Sequence, residues 1–335
     1  MNILIVGLGS IGQRHLRNIK RLYPNTNFFS YRRLFKSPSL DNNNRIKDFN
    51  LKTKYKIKYI NSLNNLEKHK IDIAFICTPS SFHVEETIKI IKQNINIFVE
   101  KPLGSSLKNI DKLKKTLKSK KVISMVGFQL RFNPIILKLK KIINSNKFGK
   151  LNHILIHHAE NINNFHKYEN YKDLYAAKKN LGGGVVLTQI HEIDYMLYLL
   201  DNYKIKKIRS LSSKVSQLKL DVEDTLNSFF LFVDKKKEVI CNLHLNYYEQ
   251  PGKRQISLIF ENSKILADLN NRKITYEKNS HKKVEKFNFT RNDLFMSEIK
   301  YFFNHIKKDK RINDSMNLFN GIKTLKLAMR LKKNK

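Results

Sequence analysis

The chain has few cysteines, the residues that form the disulfides of small secreted proteins and the thiolate ligands of metal sites. Only two of its 335 residues are cysteines, Cys77 and Cys241, which lie far apart without a CxxC partner. We therefore expect neither a disulfide framework nor a thiolate metal site. No apolar run reaches the roughly 18 residues that cross a bilayer, and MNILIVGLGS lacks the features of a signal peptide. These absences predict a cytoplasmic protein with no membrane partner.

Acidic residues are scarce relative to basic ones. The 28 Asp and Glu residues stand against 65 Lys and Arg residues, which gives a formal net charge of +37. A charge of this size attracts polyanions, so binding of nucleic acid is one alternative function. However, the lysines are spread along the whole chain, with no basic tail, zinc-finger spacing or aromatic RNA-binding signature. We interpret them as solvated surface residues and predict no dedicated nucleic-acid partner.

The first part of the chain alternates fully apolar strands with helical patterns. Examples are MNILIV, FFSYRR, IDIAFICTP and INIFVEKP, with SSFHVEETIKIIKQN and SSLKNIDKLKKTLKS between or after them. Apolar runs of this kind suit strands that are buried on both faces, and the two helical stretches look serine-capped. The pattern predicts an α/β fold with a doubly wound parallel Rossmann sheet over residues 1–125.

The pattern changes after residue 125. Long strands such as DTLNSFFLFV and EVICNLHLNY follow one another with short turns and no helix between them. This indicates a C-terminal α+β domain, residues 126–335, with a largely antiparallel open sheet. Two helical patterns end the chain, and they are expected either to remain with this domain or to pack back on the first. The length of the chain agrees with two domains.

A glycine-rich turn joins the first strand to the first helix. Gly7-Leu8-Gly9-Ser10-Ile11-Gly12 matches GxGxxG in the strand-turn-helix context that gives this pattern meaning. Gly7 permits the tight turn, Gly9 lets the backbone approach a pyrophosphate, and Gly12 allows the helix to pack on the strand. The phosphates would then lie at a helix N-terminus, near the backbone of Ser10 and Ile11. We predict a dinucleotide site.

The end of the second strand indicates which dinucleotide is bound. An acidic residue here would hydrogen-bond the adenosine ribose of NAD, but the chain reads Ser30-Tyr31-Arg32-Arg33. Two guanidinium groups can bind a 2′-phosphate and can stack on adenine. We therefore expect Tyr31, Arg32 and Arg33 to contact the cofactor, with NADP favoured over NAD. The alternative is that both arginines are ordinary surface residues of a basic protein.

Several segments, taken together and in order, resemble one known family. They are GLGSIGQRH, CTPSSFHVE, VEKPL, GFQLRFNP and the GGGVVLTQIHEID stretch at 182–194. This combination resembles the glucose-fructose oxidoreductase / inositol dehydrogenase / rhizopine-catabolism (Gfo/Idh/MocA) family of NAD(P)-dependent oxidoreductases. The resemblance implies sugars, inositols, sugar nucleotides or related polyols as substrates. It also implies that the open sheet of the second domain mediates homo-oligomerisation, as a dimer or tetramer.

The resemblance assigns roles to residues at the ends of the first domain's strands. Lys101 of EKP is expected to contact both the cofactor and the reacting oxygen, since ligands bind at the carboxyl ends of parallel strands. A partly desolvated lysine has a lowered pKa and can exchange a hydroxyl proton. Glu100 is placed to hydrogen-bond a ribose of the cofactor. Thr78 and Pro79 are expected to form the part of the site that holds the nicotinamide. His83 is either a cofactor contact or a packing residue.

Substrate contacts are expected where the two domains meet. Arg131 could hold a carboxylate, a phosphate or a pair of hydroxyls, or could form an interdomain ion pair. Asn133 lies beside it, and Tyr171, in a loop with Tyr168 and Tyr175, could face a sugar or serve packing. The histidines of this region raise the question of a metal, but neighbouring strand residues point to opposite faces. We therefore predict that the histidines of this region form no metal site. They are His153, His157, His158 and His166.

His191 is the second candidate catalytic residue. In many members of the family an Asp stands four residues before this histidine, whereas here that position is Leu187. Thr188, three residues before, could supply a hydrogen bond but no charge. Catalysis would then rest on Lys101 and His191, with Thr188 assisting. We interpret Glu192 and Asp194 as serving the first turn of the helix through its dipole.

These expectations define one main function and two alternatives. The main prediction is hydride transfer between a nicotinamide and a secondary alcohol or ketone of a sugar-like small molecule. Because the expected Asp is missing, a non-catalytic or regulatory dinucleotide-binding protein of the same fold is the first alternative. Polyanion binding through the basic surface is the second.

Overall fold

Two sheets organise the molecule. The computed structural model describes residues 1–32, 38–41, 44–165, 168–235, 237–312 and 316–333. The first sheet contains six parallel strands in the order β3-β2-β1-β4-β5-β6. This is the order of a doubly wound dinucleotide-binding sheet, so the predicted fold class is confirmed for this part. The strands are β1 (Asn2–Val6), β2 (Asn27–Tyr31), β3 (Lys58–Ile60), β4 (Ile73–Ile76), β5 (Asn96–Glu100) and β6 (Ser124–Gly127).

Helices connect these strands and cover the sheet. They are α1 (Ser10–Leu22), α2 (Leu51–Tyr55), α3 (Ser80–Ile91) and α4 (Ile110–Ser119). The predicted serine caps are wrong. The N-cap of α3 is Pro79, which makes no side-chain capping bond, so Ser80 is already the first helical residue. The N-cap of α4 is Asn109 in a left-handed conformation, and the serines before it lie in an irregular segment.

The second sheet contains eight strands in the order β14-β13-β12-β11-β7-β10-β9-β8. All neighbouring pairs are antiparallel except β7 with β10, which confirms a largely antiparallel sheet. The sequence pattern did not indicate the last hairpin, because five of the six residues of its second strand are exposed. The strands are β7 (Leu151–Ala159), β8 (Lys204–Ser213), β9 (Thr225–Asp234), β10 (Lys237–Asn246), β11 (Lys253–Phe260), β12 (Lys264–Asp268), β13 (Lys273–Lys278) and β14 (His281–Lys286).

Five further helices join the sheets. They are α5 (Pro134–Asn144), α6 (Val185–Thr188), α7 (Ile190–Leu199), α8 (Arg291–Lys307) and α9 (Leu318–Leu331). Helix α8 packs on the first domain, where Phe302 meets Phe98 with ring centroids 5.7 Å apart. Helix α9 contacts β6, α7 and β8, so it lies against elements of both sheets. No helix in the described part of the chain is long and apolar enough to span a membrane.

Candidate active site

The glycine turn after β1 is held by backbone contacts. Gly7 has φ of +91°, its N–H donates to the Tyr31 carbonyl at 2.9 Å, and a Cβ would lie 2.9 Å from the Cys77 carbonyl oxygen. A Cβ at Gly12 would collide with the Gly7 carbonyl oxygen. Both positions therefore require glycine for reasons inside the fold.

At Gly9, by contrast, neither the backbone conformation nor the packing inside the fold requires a glycine. It is the N-cap of α1 with φ of −70°, a conformation any residue can adopt, and a Cβ there would have no neighbour within 4 Å. No side chain caps α1, and its first turn has no acidic residue. The N-terminal N–H groups of a 13-residue helix therefore face open space with their partial positive charge unopposed. This arrangement fits a pyrophosphate on Gly9, Ser10 and Ile11.

The end of β2 lies beside this turn. Val6 pairs with Tyr31 in the parallel register, and Tyr31 and Arg32 are both partly buried. Arg33 lies outside the described residues. The site where an adenosine ribose is expected therefore has aromatic and cationic side chains, and no carboxylate stands at the end of the strand.

Thr78, Pro79 and His83 brace the ends of β4 and β5. The Thr78 hydroxyl donates to Glu86 at 2.6 Å, and Pro79 starts α3. The buried His83 ring lies between two backbone carbonyls, with Nδ1 2.8 Å from the Pro102 oxygen and Nε2 2.7 Å from the Thr78 oxygen. These contacts place His83 as a support for the segment that carries Lys101.

Glu100 faces inward towards α1. Its Oε1 is 2.6 Å from Nε2 of His15, and its Oε2 accepts the Lys101 backbone N–H at 3.1 Å. The fully buried Glu298 of α8 lies in the same cluster, where burial and then the charge of Glu100 raise its pKa. Each Glu100 oxygen thus has one partner inside the fold, and the expected ribose contact is not tested by these contacts. His15 and Glu298 were missed because the fold brings them together from opposite ends of the chain.

Lys101 reaches from the first domain to the second. Its Nζ donates to the backbone carbonyl of Thr188 at 2.8 Å. Burial lowers the pKa of the Lys101 amine to about 8, although the charge of Glu100 acts in the opposite direction. The structure therefore brings Lys101 and Thr188 together, and it places an amine that loses its proton readily between the two sheets.

His191 and Thr188 present buried polar atoms to the same region. Neither ring nitrogen of His191 has a hydrogen-bond partner among the described residues. The Thr188 hydroxyl lies within reach of the hydroxyls of Tyr175 and Tyr247. Burial, followed by the charge of Lys101, lowers the pKa of His191 well below its ordinary value, so the ring is neutral. Leu187, at the position of the family's Asp, is buried in the apolar core. Buried polar atoms without partners are expected where a ligand supplies them.

Arg131 and Asn133 have internal partners. The Arg131 guanidinium binds Asp194 through Nε at 2.6 Å and Nη2 at 3.0 Å, and both residues are buried. The structure therefore contains an ion pair, the second of the two alternatives for Arg131. Both partners lie within residues 126–335, so the pair does not join the two predicted domains. The Asn133 side chain accepts the Ile135 N–H at 2.9 Å and caps α5. The expected substrate contacts of both residues have no geometric support.

Glu192 lies in the first turn of α7, as the helix-dipole interpretation predicts, whereas Asp194 lies beyond it, and both acids also form ion pairs. Glu192 of α7 is fully buried and accepts from Nε and Nη2 of Arg254 at 2.7 and 2.6 Å. His158 lies 3.0 Å from the same carboxylate oxygen. Although burial alone would raise the pKa of Glu192, Arg254 and His158 lower it to about 2. Both acids are thus members of buried ion pairs, which a single sequence does not reveal.

The tyrosine-rich loop closes one side of the region. The Tyr168 side chain hydrogen-bonds Ser10 of the glycine turn. Burial, and next the charge of Glu100, raise the pKa of Tyr175 to about 12. Tyr171 is partly buried against the core, and its hydroxyl accepts the Lys219 N–H at 3.2 Å. Tyr168 and Tyr175 therefore lie nearer the candidate site than Tyr171, the residue that the sequence singled out.

One histidine cluster lies on the outer face of the second sheet. His157, His244 and Glu249 bring three ligand-type atoms within 4.8 Å of one another. The Glu249 carboxylate is 2.8 Å from His157 and 2.9 Å from the ammonium of Lys253, so these groups already satisfy it. We propose no metal at this cluster. His166 lies outside the described residues.

Comparisons with known proteins agree with this architecture. Residues 1–128 match the oxidoreductase family with an NAD-binding Rossmann fold, and residues 136–265 match the GFO/IDH/MocA C-terminal domain. Myo-inositol 2-dehydrogenase of Thermotoga maritima is 27% identical over 150 residues, 45% of this chain and 42% of that protein. The chain thus spans less than half of the length of this curated relative.

Solved structures share the fold over the whole chain. Myo-inositol 2-dehydrogenase from Lactobacillus plantarum superposes with a TM-score of 0.75 at 20% identity, covering 100% of this chain and 96% of that one. Levoglucosan dehydrogenase in complex with NADH and levoglucosan gives a TM-score of 0.79 at 13% identity, with the same coverage. Both matching family models lie in the predicted order along one polypeptide. The chain belongs to the GFO/IDH/MocA family of oxidoreductases.

Proposed function

We propose that this chain transfers a hydride between a nicotinamide and a secondary alcohol or ketone of a sugar, sugar nucleotide or related polyol. One observation carries the proposal. The Lys101 amine lies beside Thr188, and both ring nitrogens of His191 are buried in the same region without a hydrogen-bond partner among the described residues. Hydroxyl groups of a polyol are suitable partners for such atoms.

Lys101, His191 and Thr188 have different roles in the proposed reaction. When bound, the nicotinamide supplies the acceptor or donor of the hydride. For oxidation of an alcohol, neutral Lys101 takes the hydroxyl proton as the carbonyl forms. In the reverse direction its ammonium polarises the carbonyl oxygen and returns the proton. Neutral His191 hydrogen-bonds the same hydroxyl or its neighbour, and Thr188 holds Lys101 in place through its carbonyl.

Reduction of NAD⁺ or NADP⁺ by a panel of inositols, hexoses and sugar nucleotides tests the proposal. We expect Lys101→Met to lower turnover by roughly 10²–10⁴-fold with cofactor affinity retained, because it removes the proton acceptor. Lys108→Met is the matched control, since Lys108 is an exposed lysine in the following segment. Cofactor binding without turnover of any panel member would contradict the proposal and favour the non-catalytic alternative.

The cofactor specificity is a finer proposal. We infer a preference for NADP from Tyr31, Arg32 and Arg33 at the end of β2, where no acidic residue stands to repel a 2′-phosphate. Dissociation constants of NADP⁺ and NAD⁺ for wild type and Arg32→Glu test it. We expect wild type to bind NADP⁺ more tightly and the variant to lose this preference. Equal affinities in the wild type would contradict it.

We also propose that two or more copies assemble through the outer face of the second sheet. Four large apolar side chains of this face are 36–63% exposed, and they come from β7, β8, β9 and β10. The helices that cover this sheet, α6 and α9, contact β8, β9 and β10 from the opposite side. An apolar sheet face of this kind is the usual core of an interface between copies. The four residues are Leu155, Leu211, Phe229 and Ile240.

A further inference from the structure

Glu298 is a fully buried acid that the proposed mechanism does not use. It lies near the middle of α8, and none of its surface is exposed. Neither of its carboxyl oxygens has a hydrogen-bond partner among the described residues, and no ion pair found among them includes it. A charged carboxylate in such surroundings is costly, because nothing replaces the water that it loses on folding. The geometry therefore favours the protonated form of this group.

A second carboxyl group lies beside Glu298. Glu298, Glu100 and His15 each bring one polar atom within 4.8 Å of the other two, and all three side chains are buried. They come from α8, β5 and α1. Nε2 of His15 is 2.6 Å from Oε1 of Glu100, so this histidine pairs with Glu100 and not with Glu298. Two negative charges this close repel each other strongly away from water, so the two carboxyl groups retain one proton.

The other titratable groups around Glu298 supply no counter-ion for it. The guanidinium carbons of Arg14 and Arg291 lie 5.1 and 6.0 Å from the centre of the Phe295 ring, and in the described chain neither arginine forms an ion pair with Glu298. Burial, and next the charge of the nearby carboxylates, raise the pKa of Cys77 well above its ordinary value, so this thiol is neutral. In agreement, burial and then the charge of the second carboxyl group raise the pKa of Glu298.

The two carboxyl groups are connected to Lys101 through Glu100. Oε2 of Glu100 accepts the backbone N–H of Lys101 at 3.1 Å. The charge of Glu100 acts to raise the pKa of the Lys101 amine, against the larger effect of burial, which lowers it to about 8. A second negative charge behind the lysine would stabilise its ammonium form further and move the titration to higher pH. The proton on the two carboxyl groups thus limits the negative charge that acts on Lys101.

We propose that Glu298 and Glu100 hold one proton between them, and that this proton keeps the amine of Lys101 able to accept the proton of a substrate hydroxyl. Glu298 is then a positioning residue, which acts on Lys101 through Glu100 and does not touch the substrate. The first half of this inference concerns the folded protein alone. The second half, the effect on catalysis by Lys101, rests on the proposed function.

Infrared spectroscopy tests for the proton without any turnover. Wild-type protein labelled with ¹³C at the side-chain carboxyl of glutamate should show, at neutral pH, the C=O band of a protonated carboxyl group, and this band should shift in D₂O. Glu298→Gln should lose the band. Glu285→Gln is the matched control and should keep it, because Glu285 is partly exposed and pairs with Lys138. A wild type without the band, or an unchanged band in Glu298→Gln, would overturn the proposal.

The pH dependence of stability gives a second measurement. A glutamate that keeps its proton in the folded state but loses it in the unfolded state makes the free energy of unfolding fall as pH rises. Between about pH 5 and pH 8, urea unfolding of the wild type should therefore show a steeper loss of stability than Glu298→Gln, by about one bound proton. Glu285→Gln should keep the wild-type slope, because Glu285 has a lowered pKa and is ionised in both states. Equal slopes in wild type and Glu298→Gln would contradict the shared proton.

Kinetics test the effect on Lys101 and separate this inference from the proposed function. Glu298→Gln removes the acidic proton but no negative charge, so the rise of kcat/KM for alcohol oxidation should remain at about 8. A rise at clearly lower pH would show that wild-type Glu298 is charged and would overturn the inference even though the redox function holds. The infrared band and the steeper slope, found together with no turnover of any polyol, would support the shared proton and contradict the redox function.

Discussion

Lys101 differs from the many solvated lysines of this chain in being partly buried between the two sheets, with its Nζ bound to the Thr188 carbonyl. Burial lowers the pKa of its amine to about 8, and burial and the charge of Lys101 keep His191 neutral. Oxidation needs the neutral amine, so kcat/KM for an alcohol should rise with pH through about 8 and then level off. Reduction of the ketone needs the ammonium and should fall over the same range.

Steady-state kinetics in both directions over a range of pH would measure this. Because His191 is neutral throughout, no additional transition is expected near the ordinary pKa of a histidine. A transition that persists at about 8 in the residual activity of Lys101→Met would show that another group is responsible.

Variants of Arg131 and Asp194 distinguish a structural role of Arg131, as the partner of Asp194, from a role in binding the substrate. Arg131→Met leaves the Asp194 carboxylate buried without its partner, and we expect a loss of about 3–5 kcal/mol in the free energy of unfolding. Arg131→Met/Asp194→Leu removes both charges and should recover most of that loss, with the substrate KM unchanged. Urea unfolding and kinetics measure the two effects. A large rise in KM in the double variant would return Arg131 to the substrate site.

At this scale the sequence predicts only part of the site. Lys101, Thr188 and His191 could be identified because they stand within motifs, and the structure brings them together. Arg254, the partner of the buried Glu192, could not, because it is one arginine among many until the second sheet packs against α7. For Arg131 the sequence leaves a substrate contact and an ion pair open, because no local pattern shows that Asp194 is its partner.

At the scale of elements, the glycine turn contains a matched pair of positions. Gly9→Ala should fold normally, since its Cβ meets nothing and its φ is ordinary, but should bind the cofactor more weakly because the methyl group lies on the open face. Gly12→Ala should destabilise the protein itself, since its Cβ would collide with the Gly7 carbonyl oxygen. Thermal unfolding and cofactor titration of both variants would distinguish these effects. Unchanged cofactor affinity in a folded Gly9→Ala would contradict the assignment.

Element boundaries show where sequence patterns carry information. The central strands β1, β4 and β5 were predicted because they are apolar on both faces. The hairpin β13–β14 was missed because HKKVEK has no apolar alternation, and its second strand is stabilised mainly by backbone pairing with β13. The start of α4 was misplaced because Asn109, in a left-handed conformation, and not a serine begins the helix.

At the scale of the whole molecule, the predicted combination of a parallel and a largely antiparallel sheet is what the chain forms. The patterns sufficed for this because each sheet has its own periodicity of burial. They could not decide how the sheets meet, which depends on contacts of α8 and α9 with distant elements. The net charge of +37 is likewise a property of the surface and does not predict the fold.

The open face of the second sheet leads to the last prediction. Phe229 and Ile240 are 55% and 50% exposed on neighbouring strands of that face. Phe229→Asp/Ile240→Asp should give a monomer in size-exclusion chromatography with light scattering, because burying two carboxylates in an interface costs more than the assembly gains. Circular dichroism should stay unchanged, since both side chains point away from the core. Leu107→Asp, which changes an exposed leucine outside both sheets, should leave the assembly intact. A wild-type monomer at micromolar concentration, or an unchanged assembly in the double variant, would show that this face does not join the copies.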